Sequence, residues 1–223
     1  MTTALPETLC FLNGRFLRLC DAQVSVLDRG FVFGDGIYEV VPVYGRKLFR
    51  FDEHMARMSR SLAKVRIGNP FGREQWLERV RPLVAALADK QGAEDQLVYI
   101  QVTRGVALRD HVMPTDITPT VFAMASAMKL PTPAQRADGV ACVTADDFCW
   151  KKAHIKSVSL LDAAFARQIS ADVGAAETVM FRDGFLSEAA ASNVWIVKDG
   201  VVAGPPKDHL VLEGIRYNLI EDI

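Results

Sequence analysis

A chain of 223 residues, 50% hydrophobic and 24% charged, has ordinary globular composition, which argues against disorder, and room for one or two domains. Its 26 Lys and Arg against 27 Asp and Glu leave a net charge of -1. That balance excludes a strongly basic nucleic-acid binder and a polybasic membrane-surface protein, though not a local basic pocket.

The opening residues lack a basic segment followed by an apolar core, so no secretory signal is expected. The longest uncharged apolar-leaning stretch, residues 117–128, is too short to span a bilayer. Cys10, Cys20, Cys142 and Cys149 form no C-x-x-C pair and are too few for a disulfide scaffold. A cytoplasmic protein of a reducing compartment is expected.

In chain order, Asn13-Gly14 between two apolar runs predicts a β-hairpin over residues 9–17. Residues 37–43 read as a strand. Residues 52–67 read as a helix capped by Asp52, with Met55, Met58, Leu62 and Val65 on one face. A second helix is expected over residues 73–90, with Trp76, Val80, Leu83, Val84 and Leu87 inward and Pro82 arguing against it. Residues 97–103 and 120–124 read as buried strands. The segment Lys129-Leu130-Pro131-Thr132-Pro133 resists helix and central strand, and it marks the expected boundary between residues 1–130 and residues 131–223.

Past it, residues 139–144 read as a strand and residues 157–173 as a helix capped by Ser157 or Ser159. Asp183-Gly184 and Asp199-Gly200, each between apolar runs, predict two successive hairpins. Residues 210–223 read as a strand leading into a helix at Ile215 that ends without a glycine stop, which suggests a truncated chain or part of a longer one. The first half is therefore expected to be α+β, and the second mostly antiparallel β with one helix.

No P-loop, H-E-x-x-H or G-x-S-x-G motif is present, and Gly34-Asp35-Gly36 alone is weak evidence for a dinucleotide site. Four isolated histidines suggest structure or substrate contact rather than a metal. Lys156, between strand and helix in an apolar setting, suits Schiff-base chemistry, against the plainer reading of a solvated loop lysine. Glu188 sits in a run of small residues that would let a flat ring approach, where a carboxylate can pair with a protonated ring nitrogen; otherwise it is a turn glutamate. Arg104, Arg109 and His111 share one loop able to hold a carboxylate, or form a charged surface. Arg57, one turn past His54, reads alone as a solvated helix face, and Tyr38 as packing on a strand.

Together these segments resemble the fold-type IV PLP-dependent transaminases, the class of branched-chain and D-amino acid aminotransferases. The matching motifs run from Asp28-Arg29-Gly30-Phe31-Val32-Phe33-Gly34-Asp35-Gly36-Ile37-Tyr38-Glu39 and Phe51-Asp52-Glu53-His54-Met55-Ala56-Arg57-Met58, through Ile155-Lys156-Ser157, to Ser187-Glu188, Ser192-Asn193 and Leu212-Glu213-Gly214-Ile215. Their common order and spacing carry the resemblance. It implies an α+β fold of two domains: an N-terminal α/β sandwich-like domain and a C-terminal pseudo-barrel bearing the PLP lysine, incomplete at its C-terminus. It also implies a homodimer binding small molecules, with no nucleic-acid or membrane partner.

The resemblance further implies that Lys156 holds pyridoxal 5'-phosphate as a Schiff base and then moves protons at the substrate Cα. Glu188 would keep the pyridinium nitrogen protonated, making the ring an electron sink. Arg57 and the backbone N–H groups of Ile215 and Arg216 would bind the phosphate, and Leu212 would pack on the ring. Within the family, Gln101-Val102-Thr103-Arg104-Gly105 followed by Arg109-Asp110-His111 is similar to the D-amino acid aminotransferase pattern. Arg109, His111 and Tyr38 would then trap the substrate carboxylate, supported by His54. The implied reaction moves an amino group from a D-amino acid such as D-alanine to a 2-oxo acid such as 2-oxoglutarate. A branched-chain L-amino acid transaminase, an aminodeoxychorismate lyase and an inactive PLP-binding homologue stay open as alternatives.

Three departures stand out. Ala189-Ala190-Ala191 replaces a more usual Gly-Ser-Ser, removing a hydroxyl near the cofactor. Arg216 stands where threonine is common. Chains of the family run past this C-terminus, where a Thr/Ser loop adds phosphate contacts.

Overall fold

The computed structural model describes residues 6–221, and they divide into two compact units. The first contains the chain up to Lys129 together with Lys156–Ser159; the second contains Leu130–Ile155 and the chain from Leu160 onward.

The first unit is built on a six-stranded antiparallel sheet. Strands β1 (Leu9–Leu12) and β2 (Arg15–Arg18) close through Asn13 and Gly14, both at positive φ as a type I′ turn requires. They join β3 (Gly36–Tyr44), β4 (Lys47–Leu48), β5 (Gln96–Thr103) and β6 (Thr120–Ala127) in the order β2-β1-β6-β5-β3-β4. A short helix, α1 (Arg29–Phe33), precedes β3. Two longer helices, α2 (Phe51–Lys64) and α3 (Arg73–Gln91), pack on the sheet, α2 against β3 and α3 against β1, β5 and β6.

Alternation along the strands separates the two faces. Ile37, Val41 and Val43 on β3 are fully buried, as are Val98, Ile100 and Val102 on β5. Met58, Leu62, Trp76, Val80 and Leu83 of the two helices join this core. Tyr38, Tyr99, Gln101, Phe122 and Met124 occupy alternate positions, hence the other face, and are only half-buried.

The local expectations need several amendments. Asp52 does not cap α2: the helix starts at Phe51 behind Arg50, which is left-handed, and Asp52 lies in its first turn. Val65 falls just beyond that helix and is half-buried. Pro82 does not break α3, because both it and Glu78, whose carbonyl loses its helical partner, face solvent.

The second unit opens with α4 (Pro133–Asp138), where Thr132 Oγ1 accepts from Gln135 N as N-cap. Strand β7 (Cys142–Asp146), helix α5 (Leu161–Asp172), and strands β8 (Glu177–Arg182) and β9 (Phe185–Ala189) follow. The sheet order is β7-β8-β9, with β7 parallel to β8. A hairpin of β10 (Ile196–Lys198) and β11 (Val201–Ala203), then α6 (Arg216–Glu221), complete the described residues.

Among its described residues this unit is less antiparallel and more helical than its pattern suggested, with a parallel pair and three helices. Residues 139–141 are not strand, because Gly139 at positive φ terminates α4. Residues 210–212 are not strand either. The last two positions of the predicted C-terminal helix, 222 and 223, lie outside the described residues.

The largest amendment concerns Ser157 and Ser159. Neither caps α5, which begins at Leu161. The segment is extended instead: Tyr38 N–H donates to Lys156 O and Val158 N–H to Gly36 O, both at 3.0 Å. That pairing with β3 groups Lys156 with the first unit, whereas the proline boundary assigned it to the C-terminal half.

Candidate active site

Lys156 is held at the start of β3, where the chain comes unusually close to its neighbours. A Cβ on Gly36 would lie 2.7 Å from Val102 O, and one on Gly34 would lie 2.5 Å from Ser159 Oγ. Only glycine permits this approach, and Ser159 Oγ completes it by donating to Gly34 O at 2.9 Å. The Lys156 Nζ stands over the Tyr38 ring, 4.2 Å from its centroid. Tyr38 stacks on Tyr99 at 5.7 Å, and Tyr99 donates its hydroxyl to Gln101 Oε1 at 2.7 Å. Burial, with the neighbouring Tyr38 phenol adding, pushes Tyr99 up to about 12.

One residue further, β3 turns Glu39 to the opposite face. Its carboxylate is wholly buried, accepts from Arg57 Nε at 2.8 Å and Nη2 at 2.7 Å, and meets His54 Nδ1 at 2.7 Å. Burial alone would raise Glu39, but the Arg57 and His54 contacts outweigh it and hold it below the usual carboxylate range. The structure therefore brings Arg57 and His54 together, and alternation places them on the face of β3 away from Tyr38. His54 Nε2 is buried without a hydrogen-bond partner among the described residues. Any phosphate contact by Arg57 comes from a guanidinium already bidentate to Glu39. Sequence reasoning gave Glu39 no role; its signal was a charged residue in a buried alternation of Ile37, Val41 and Val43.

Arg109 and His111 lie on the exposed loop after β5. Both gather on Phe33 of α1, the Arg109 guanidinium 5.5 Å and the His111 ring 5.4 Å from its ring centroid. Arg29 covers the same ring at 4.6 Å and donates Nη1 to Asp110 O at 2.6 Å. Arg29 Nε also donates to Asp35 at 2.8 Å, and Arg104 holds the same carboxylate at 2.7 and 3.0 Å. Arg104 thus serves Asp35 and the carbonyls of Val65 and Arg66. Arg29 and Asp35 lie in the segment 28–39, but nothing in their order marks the loop they grip.

In the second unit, Glu188 on β9 accepts from Leu212 N at 3.3 Å, while Asn193 Nδ2 donates to Leu212 O at 2.8 Å. Both sides of Leu212 are thereby tied down. A Cβ on Gly214 would meet Asn193 Oδ1 at 2.0 Å, so any side chain there would displace the Asn193 amide. Tyr217 N–H donates to Gly214 O at 3.0 Å, which turns the chain at half-buried Ile215 into α6; Arg216, its first residue, is exposed. Burial chiefly, and then carboxylates that include Glu188, push the Cys149 thiol up to about 12 and raise the Tyr217 phenol. Ala189 and Ala190 are buried and Ala191 is exposed.

The fold is shared with solved fold-type IV enzymes. A fold IV-transaminase from Curtobacterium pusillum superposes with a TM-score of 0.79 at 24% identity, covering 93% of this chain and 72% of its own. A branched-chain amino acid aminotransferase from T.th., complexed with N-(5'-phosphopyridoxyl)-L-glutamate, does so with a TM-score of 0.84 at 21% identity, covering 98% and 73%. The family model for amino-transferase class IV matches residues 36–223.

Sequence relatives are nearer. The D-alanine aminotransferase of Staphylococcus epidermidis is 36% identical over 215 residues, 96% of this chain and 74% of the relative. That of Staphylococcus aureus is 37% identical over 214 residues, with the same coverage, and that of Bacillus licheniformis 36% over 203 residues, covering 91% and 70%. The chain belongs to the class IV aminotransferases, enzymes that use pyridoxal 5'-phosphate.

The donor set fits that cofactor. An aldehyde needs an amine, a pyridinium nitrogen a carboxylate, and a phosphate a guanidinium with backbone N–H groups. In the first unit Lys156 has an amine and Arg57 a guanidinium, with the buried His54 Nε2 in the same network; in the second, Glu188 has a carboxylate and the turn at Ile215 has backbone N–H groups. Among the described residues no three metal-ligating side chains cluster, and no helix is long and apolar enough to cross a membrane.

Proposed function

We propose that this chain transfers the amino group of a D-amino acid to a 2-oxo acid, with D-alanine and 2-oxoglutarate as the reference pair, as a cytoplasmic homodimer. The observation that carries the chemistry is Lys156, fixed by backbone pairing to β3 with its amine over the Tyr38 ring. Preference for the D-enantiomer is supported by the Arg109-x-His111 loop and by relatives named D-alanine aminotransferase. Four free cysteines accord with a reducing compartment.

When bound, pyridoxal 5'-phosphate supplies an electron sink for the pair left at the substrate Cα. Lys156 Nζ would hold the cofactor's aldehyde group and would take the proton from the substrate Cα and return one on the product side. Glu188 favours a protonated pyridine nitrogen by opposite charge. Leu212, its peptide held by Glu188 and Asn193, would pack on the ring. Arg57 and the N–H groups of Ile215 and Arg216 take the phosphate. Arg109 offers a planar fork to the substrate carboxylate, with His111 and Tyr38 as further donors. His54 acts through Glu39 on Arg57 rather than on the carboxylate directly.

Chiral chromatography of an incubation with D-alanine and 2-oxoglutarate tests the reading. Formation of pyruvate and D-glutamate in equal amounts is expected. Turnover of L-branched-chain amino acids alone, or of neither enantiomer, would overturn it.

A further inference from the structure

Arg29 grips the loop after β5 twice. Its backbone N–H donates to Gly105 O at 2.8 Å, where the loop begins, and its Nη1 donates to Asp110 O at 2.6 Å, between Arg109 and His111. The first anchor allows no slack. Gly105 has φ +107, and a Cβ there would lie 2.1 Å from Thr118 O. α1 is fixed in turn: Asp28 Oδ1 accepts from Gly30 N and from Thr103 Oγ1, and a Cβ on Gly30 would strike Thr103 Cγ2 at 2.2 Å. Arg29 therefore projects from a helical turn that cannot shift relative to β5.

Its guanidinium is aimed from three directions. Asp35 accepts from Nε, the Phe33 ring four residues along α1 lies beneath it, and Asp110 O takes Nη1. Arg104 shares the Asp35 carboxylate, so the buried cluster is two guanidiniums on one carboxylate. Burial would raise Asp35, but hydrogen bonds from Arg104 and Arg29 outweigh it and hold it low, so it stays ionised at neutral pH. Arg109 and His111 meet the same Phe33 ring, at 5.5 and 5.4 Å from its centroid.

We propose that Arg29, aimed by Asp35 and Phe33, is a positioning residue that sets where Arg109 and His111 stand, and through them how tightly the substrate carboxylate is held. The substrate part rests on the D-amino acid reading; the loop part does not. A lysine at position 29 has no planar fork to serve Asp35, the ring and Asp110 O together. Phe33→Ala removes the shared ring from a half-buried position.

The test compares Arg29→Lys and Phe33→Ala with wild-type holoenzyme in two measurements: backbone hydrogen exchange of peptides covering residues 106–114, and steady-state kinetics with D-alanine. Both variants should exchange faster in that loop alone. KM should rise about tenfold while kcat stays within about threefold, the pattern of lost ground-state and transition-state binding alike. If Arg29→Lys fails to fold, Phe33→Ala decides by the same readings. Unchanged exchange and unchanged KM in a folded variant would overturn the inference, as would kcat falling with KM unchanged. A wild type inactive on D-alanine would sink the functional reading, leaving the exchange data to support or refute the anchor by itself.

Discussion

The Nζ of Lys156 stands 4.2 Å from the centroid of the Tyr38 ring, and the backbone ties the two residues again through Tyr38 N–H and Lys156 O at 3.0 Å. The ring face attracts the ammonium by about 0.5–1 kcal/mol at a partly exposed site. The contact favours the ammonium over the neutral amine that condenses with an aldehyde, so Tyr38→Leu should strengthen cofactor loading about two- to fivefold, measured by titrating the apo form with pyridoxal 5'-phosphate. Tyr38→Phe should keep loading, since the ring remains.

Glu39 and Arg57 form a buried pair that a single substitution unbalances. Glu39→Ala should cost about 3–5 kcal/mol, because it leaves a guanidinium buried without its carboxylate. Thermal unfolding should report a Tm lower by roughly 10 °C. The Glu39 carboxyl is depressed in the folded chain, so it contributes stability fully above its unfolded pKa of about 4.3, lost as pH falls through the lower folded value. Glu39→Gln should flatten that acid limb.

Glu188→Gln should retain bound cofactor but slow proton transfer at the substrate Cα, because an amide does not favour a protonated ring nitrogen as a carboxylate does. Single-turnover absorbance measures it, and wild-type rates would remove Glu188 from that role. The variant keeps an oxygen to accept from Leu212 N, so a local collapse is not expected.

Arg109→Ala should lower kcat/KM for D-amino acids at least about tenfold, since a hydrogen bond to a charged group contributes roughly 1.5–3 kcal/mol. Activity toward amines without a carboxylate should survive. Unchanged D-alanine kinetics would make Arg109 a solvated loop residue.

The sequence made some layers plain and hid others. The hairpin at Asn13-Gly14 and the apolar stripe of α3 from Trp76 to Leu87 were legible because turn chemistry and helical spacing are local. Ser157 and Ser159 misled because a serine before a helical pattern reads as a cap, whereas pairing with β3, some 120 residues earlier, wins here. The roles assigned to Lys156, Glu188 and the Arg109–His111 loop rest on motif order. The Glu39 hub and the Arg29 anchor were not legible, since both depend on which face of β3 and which loop carbonyl a side chain meets.

Transamination of D-amino acids through Lys156 is open to a direct trial by rapid mixing. Purified holoenzyme is mixed with D-alanine and, separately, with L-alanine, and the cofactor's visible band is followed without any 2-oxo acid present. D-alanine should bleach the band stoichiometrically and release one pyruvate per site. L-alanine should do so at least about a hundredfold more slowly, and Lys156→Ala should show neither change. Bleaching by L-alanine alone, or equal bleaching in the Lys156→Ala variant, would refute the assignment.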